Sequence, residues 1–305
     1  MTPLIRTRIN FAIFAAAAVG AGWLGVALDR ANGLDLANGV ALSDSSGTSG
    51  QAIFILGPAI VALLLFFLSR DGAGPLGFTL RFPHRARWFA GAAVLYPVMT
   101  VVAVGAGVLA GRAALTWTPE PGKPSLIAAV GAIFALQVVK NLVEEFIFRG
   151  YGTRTAMALG LPGRVTPHLL VGVVWALWHL PLYLVWTSRA DMDLITSLSW
   201  PLFLTMFLVG VVASAVVYGE LRVRTGSLWP GVLLHSVCNA VATPLIANGH
   251  LSFTGHGDAF FSPVPGSLII AVLFGAVAVW LVRRASPAPV PAPATPVGVT
   301  PAGLS

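Results

Sequence analysis

The sequence predicts an all-α fold, a polytopic bundle of about eight transmembrane helices, and three observations predict it. Hydrophobic residues make up 56% of the 305-residue chain and charged residues only 10%, where ordinary globular domains carry about 25% charged residues. The mean hydropathy of +0.84 is too high for a disordered chain, and the charge is too sparse to coat a soluble fold of this size. The apolar residues also fall in runs close to the roughly 20 residues that carry a helix across about 30 Å of hydrocarbon. Soluble-enzyme and disordered classes are thereby excluded. The net charge of +7 sits mostly in short connections between apolar runs, which is how orientation in a bilayer is encoded, so the lipid bilayer and no nucleic acid is the expected partner. The single cysteine, Cys238, excludes an internal disulfide framework and any multi-cysteine zinc site.

The spans fall at about 10–28, 52–68, 88–110, 125–148, 168–186, 201–221, 231–247 and 267–282. Arg6 and Arg8 before the first run imitate a signal peptide. The run is nevertheless longer than the about 7–15 residues of such a segment, and no small-x-small cleavage site follows Leu28, so an anchoring helix is expected. Residues 29–50, rich in Gly, Asn, Asp and Ser, read as an external loop. Assigned to alternate connections, 13 Lys and Arg residues lie on one side of the membrane, among them Arg81, Arg85, Arg87, Arg164, Arg224, Arg283 and Arg284. Only Arg30, Arg112, Lys123 and Arg189 lie on the other. Both termini are therefore expected in the cytoplasm. Residues 1–284 read as one membrane-embedded domain and 285–305, an uncharged Pro/Ala/Val stretch, as a disordered cytoplasmic tail. Asp258, His250 and His256 fall in loops, and the two histidines are expected to be solvated.

Polar residues inside spans need a reason, because an ionised side chain at mid-bilayer costs about 2.5–3.5 kcal/mol on insertion scales. The fourth span ends Lys140-Asn141-Leu142-Val143-Glu144-Glu145-Phe146-Ile147-Phe148-Arg149, the fifth contains Trp175 to His179, and the seventh contains His235 to Asn239. A spacing of four places Glu145 with Arg149 on one helix face and Lys140 with Glu144 on another, so each acid has a partner in reach. Ion bridges near a helix end are one reading. An adjacent Glu-Glu in low dielectric as a poised base is the other. His179 alone reads as an interhelical hydrogen bonder, and so do His235 and Asn239, which share a face. The conjunction is less easily explained that way. Glu144 and His235 each lie about four residues from the cytoplasmic ends of their expected spans, and His179 comes out deeper, at about 11 residues from His168. With that allowance, a carboxylate, two imidazoles and a carboxamide meet in the cytoplasmic half of the membrane, a set suited to activating water and stabilising an oxyanion.

These motifs resemble those of the CAAX protease and bacteriocin-processing family of intramembrane endopeptidases, which includes the type II CAAX prenyl endopeptidases. Glu144-Glu145-Phe146-Ile147-Phe148-Arg149 is similar to the family's Glu-Glu-x-x-x-Arg. Trp175-Ala176-Leu177-Trp178-His179 is similar to its Phe-x-x-x-His with Trp175 in place of Phe, and His235 to Asn239 to its His-x-x-x-Asn. The resemblance covers about 125–247, the expected catalytic core. It implies that Glu144 is the general base, that His179 orients or activates the water, that His235 and Asn239 stabilise the oxyanion, and that Glu145 and Arg149 hold the site's shape. It also leaves two mechanisms open. Glu144, His179 and His235 could hold a divalent metal such as zinc with an open position for water, and a metal-free glutamate mechanism uses the same atoms.

The sequence has no His-Glu-x-x-His, no Gly-x-Ser-x-Gly elbow and no intramembrane aspartate pair. The expected function is thus hydrolysis of a peptide bond in a peptide or membrane-protein substrate presented from the cytoplasmic side. The alternatives are a transporter using the same polar groups as a path and a non-proteolytic binding or immunity protein on the same scaffold. The Ala- and Gly-rich composition points to the cytoplasmic membrane of a high-GC bacterium, where prenylated substrates are not expected.

Overall fold

A computed structural model describes residues 2–40, 47–69 and 73–284; the expected tail, 285–305, lies outside them. Helix α1 spans Pro3–Ala31, its free N-terminal amide at Ile5 capped by the Thr2 hydroxyl and its proline at the first turn, where a missing N–H costs nothing. Next come α2, Ser49–Ser69, and α3, Ala86–Leu109. Strand β1, Ala113–Leu115, leads to α4, Leu126–Glu145. The fourth helix does not stop there. It runs on through a π-helical stretch, Phe146–Thr153, into α5, Arg154–Met157. Helix α6, Thr166–Trp178, is followed by a second π-helical turn, Leu182–Trp186, and by the short α7, Arg189–Ile195. Helices α8, Trp200–Thr225, and α9, Trp229–Ala247, carry the rest of the core. Gly226 between them takes the left-handed conformation (φ 66°) that ends α8. Strand β2, Leu251–Phe253, pairs antiparallel with β1; α10, Gly257–Phe261, and α11, Leu268–Arg283, complete the described chain.

The all-α polytopic bundle expected from the sequence is present. Seven helices among the described residues are long and apolar enough to cross a membrane, not eight. The eighth expected span corresponds to α11, whose 16 residues reach only about 24 Å against the roughly 30 Å of hydrocarbon. It packs along α8. Outward faces keep apolar side chains exposed, such as Leu109 at 91% and Ile127 at 87%, as a surface solvated by lipid requires. Helices α1 and α2 come together at Gly25 and Gly50, where a Cβ on either would strike the other's backbone; small residues at such a crossing allow the close approach that holds helices together in lipid. Asp29 at the end of α1 accepts from the Thr48 hydroxyl, the Gly50 amide and the Trp186 indole, which ties α1, α2 and the second π-helical turn into one corner. Inside, Phe54 stacks on Trp178 at 4.0 Å, and the Trp178 indole donates to the Phe54 carbonyl.

Two loop expectations change. His250 is fully buried and its Nδ1 lies 3.0 Å from the Thr116 carbonyl oxygen, because the β1–β2 pair folds its loop against the preceding connection. Asp258 is also buried, in α10, and accepts from the amide and hydroxyl of Ser197 and the hydroxyl of Thr196. His256 is exposed, as expected.

Candidate active site

The continuation of α4 sets the depth of the site. Glu144 lies 13 residues before Met157, where the continuous helix ends, and His179 lies 13 residues after Thr166, which brings the two side chains together, with His179 Nε2 3.8 Å from Glu144 Oε1. The mismatch expected for His179 is removed, and the site is deeper than the sequence suggested. His235 lies only six residues into α9, but the start of that helix is itself sunk in protein: Ser227 and Leu228 are buried, and the Leu228 amide donates to the Gly77 carbonyl.

The two i,i+4 ion pairs form as the spacing required. The Lys140 ammonium donates to Glu144 Oε2 at 2.9 Å, and Arg149 Nη1 donates to Glu145 Oε1 at 3.2 Å. Arg149 is 1% exposed, and its guanidinium lies between two aromatic faces, 3.9 Å from the Trp175 ring centre and 4.6 Å from that of Tyr218. Desolvated cation–π contacts of this kind are worth about 2 kcal/mol or more. Trp175 also donates its indole N–H to Glu144 Oε1 at 2.8 Å. One side chain therefore holds the carboxylate of one motif residue and the guanidinium of another. The sequence reading noted Trp175 only as standing in place of Phe; the polar N–H that Phe lacks was the available signal.

Both imidazoles are oriented by their Nδ1 atoms. His179 Nδ1 is 2.8 Å from the Trp175 carbonyl oxygen, which can only accept, so Nδ1 carries a proton. His235 Nδ1 is 3.0 Å from Glu145 Oε1. In each case Nε2 is turned toward Glu144 Oε1, at 3.8 Å from His179 and 3.9 Å from His235. Gly231, one turn before His235, clears the way for Glu145, since a Cβ there would stand 2.8 Å from Glu145 Oε2. Asn239 lies on the same face of α9 as His235, but its amide donates to Gln137 Oε1 at 3.1 Å and Asn141 Oδ1 at 3.4 Å. To serve an oxyanion it must exchange one of these partners. Gln137 and Asn141 are site residues that the sequence reading did not single out.

Lys140, Trp175, His179, His235 and Asn239 line one cavity of about 410 Å³. Its remaining wall is mainly apolar and aromatic, including Tyr183, Phe203, Phe207 and Phe274. The cavity runs from His179 and His235 toward the end of the bundle where α9 finishes and reaches exposed residues there, Leu194 and Ala247. It thus extends away from the arginine-rich end, the side from which the sequence led us to expect the substrate. Among the described residues no three His, Cys, Asp or Glu side chains are arranged to hold a metal ion, and no step below runs through one.

No curated protein matches the chain. Residues 126–241 match the family model described as "Type II CAAX prenyl endopeptidase Rce1-like", a stretch that contains Glu144, Glu145, Arg149, His179, His235 and Asn239, so over this part of the chain the resemblance to the CAAX protease and bacteriocin-processing family is borne out.

Proposed function

We propose that the protein is an intramembrane endopeptidase in which Glu144 activates a water to attack a peptide carbonyl. The supporting observation is the convergence of three atoms: Glu144 Oε1 and the Nε2 atoms of His179 and His235, with Oε1 no more than 3.9 Å from either nitrogen. A water at about 2.8 Å from both Oε1 and one Nε2 fits that spacing. Glu144, kept in place by Lys140 and Trp175, takes the water's proton as the hydroxide adds to the carbonyl carbon. His179 fixes the water's second hydrogen through Nε2. The tetrahedral oxyanion forms against the Asn239 amide N–H and the His235 ring, which donates from Nε2 when both of its nitrogens carry protons, and Glu144 returns its proton to the leaving amine as the C–N bond breaks. Glu145 and Arg149 act through His235 and Trp175, as positioning residues. The aromatic cavity favours a substrate with an apolar or lipidated segment at the cleaved end, and the matched family's name makes a prenylated CAAX peptide the first probe. The orientation with both termini in the cytoplasm is part of this proposal, and it requires the 16-residue α11 to cross as an eighth span.

The test is cleavage of a farnesylated CAAX peptide, and of a panel of apolar transmembrane peptides, by the purified chain in proteoliposomes. Glu144→Ala and His179→Ala should each lose about 100-fold or more in rate while eluting as folded protein. Undiminished cleavage by folded Glu144→Ala protein refutes the assignment.

A further inference from the structure

A second cleft lies at the opposite, arginine-rich end of the bundle, between the start of α3 and the last turns of α8 and α11. Its volume is about 430 Å³. One end of each of the long apolar helices α3 and α8 and one of the shorter α11 meet there, which places it at the level where hydrocarbon gives way to headgroups. Arg87, Arg224 and Arg284 stand at it, with Trp88 and Trp280. The Arg87 and Arg224 guanidiniums each lie 5.5 Å from the centre of the Trp88 ring, and Arg284 lies 4.9 Å from that of Trp280. Deeper in, the wall is apolar, formed by Leu95, Val217, Leu221 and Val277.

The charge balance of the cleft is one-sided. Glu220 is the carboxylate nearby, and it already accepts from Arg164 through both oxygens and from Arg224. Arg87 and Arg284 are exposed and no carboxylate among the described residues pairs with them. The Trp88 indole N–H is buried and has no acceptor among the described residues. Two unpaired guanidiniums, a third already shared, and an unused donor therefore stand over an apolar slot at membrane-interface depth.

We infer that this cleft binds one anionic phospholipid of the surrounding bilayer, its phosphate between Arg87, Arg224 and Arg284 and an acyl chain in the slot lined by Leu95, Leu221 and Val277. Basic pockets between membrane helices suit phosphate headgroups because each Lys or Arg near the surface adds about 1 kcal/mol to anionic-lipid binding. Aromatic residues favour the same depth. The site is separate from the Glu144 cavity, so this inference stands or falls independently of the protease reading.

The experiment is native mass spectrometry of the full chain in neutral detergent, titrated with phosphatidylglycerol, phosphatidylcholine or glycerol 1-phosphate. One phosphatidylglycerol should be retained with about tenfold or greater preference over phosphatidylcholine, and glycerol 1-phosphate, which lacks the acyl chain, should bind far more weakly. Arg87→Gln/Arg284→Gln and the slot-filling Val277→Trp should each weaken retention about tenfold or more. Arg81→Gln/Arg85→Gln, which removes as much charge from the loop before α3, should leave it within about twofold. Equal retention of the two lipids overturns the proposal, and so does an equal loss in the Arg81/Arg85 variant, which would indicate general surface charge. Glycerol 1-phosphate binding as well as the lipid would indicate a headgroup-only site and overturn the acyl-slot claim.

Discussion

Two buried glutamates in this bundle have the same kinds of neighbour and opposite chemical prospects. Glu144 and Glu220 are each 1% exposed or less, and each lies near a cation and an imidazole. A carboxylate offers about four acceptor positions. Glu220 uses three of them: Arg164 donates to both oxygens at 2.6 and 2.9 Å and Arg224 donates at 2.8 Å, while His168 Nε2 lies 3.3 Å away. Glu144 accepts from one ammonium and one indole. Its Oε1 faces two imidazole nitrogens whose rings line a cavity. A buried His–carboxylate pair is thus not by itself a sign of chemistry. What separates the two is acceptor capacity left over beside two imidazoles that line a cavity.

The largest expected effect breaks the two apart. Glu144→Gln keeps the shape and removes the base, so the rate should fall about 100- to 10,000-fold with little change in the thermal midpoint. Glu220→Gln removes the partner of two guanidiniums, and breaking a buried ion pair costs about 3 kcal/mol or more. It should lower the midpoint in a thermal-shift measurement while the folded fraction keeps its specific rate. If Glu220→Gln abolishes turnover without loss of stability, the contrast is wrong.

Trp175→Phe sharpens the contrast from the Glu144 side. The phenyl ring still offers a face to Arg149, but the donor to Oε1 is lost, and hydrogen bonds to charged groups are worth about 1.5–3 kcal/mol. A fall in rate of about 10- to 100-fold is expected. Combined with Glu144→Gln the two losses should be far from additive, because both act on one carboxylate. Additive losses would show that Trp175 acts elsewhere.

The parts of the site that were legible in the sequence are those set by helical periodicity within one helix. Lys140 with Glu144, Glu145 with Arg149, and the shared face of His235 and Asn239 follow from a spacing of four. The all-α membrane class follows from composition for a similar reason: each span satisfies its own backbone hydrogen bonds. Contacts between helices were not legible. Glu220 drew no attention although Arg224 lies four residues on, and its other partners, Arg164 and His168, come from over 50 residues away. The continuation of α4 was hidden by Gly150 and Gly152, which look like a helix end, whereas the chain instead winds through them as the π-helical stretch Phe146–Thr153. His250 was misjudged because its burial depends on a strand pairing between segments some 140 residues apart.

The smallest effect tests the Glu220 cluster at its weakest link. Arg164 lies in the connection before α6, outside the spans, and its side chain is 24% exposed. Its hydrogen bonds to Glu220 push the guanidinium above its ordinary, already high pKa, so it stays charged at every workable pH and no titration will remove the contact. Substitution will. In Arg164→Gln the carboxylate keeps Arg224 and the His168 ring, so no buried charge is stranded, and a partly exposed pair contributes only about 1 kcal/mol. A thermal midpoint lower by a few degrees and an unchanged cleavage rate are expected. A rate lowered more than tenfold in well-folded Arg164→Gln protein would mean that Glu220 communicates with Glu144 through α6, the helix that carries both His168 and Trp175, and the two glutamates would then have to be treated as one network.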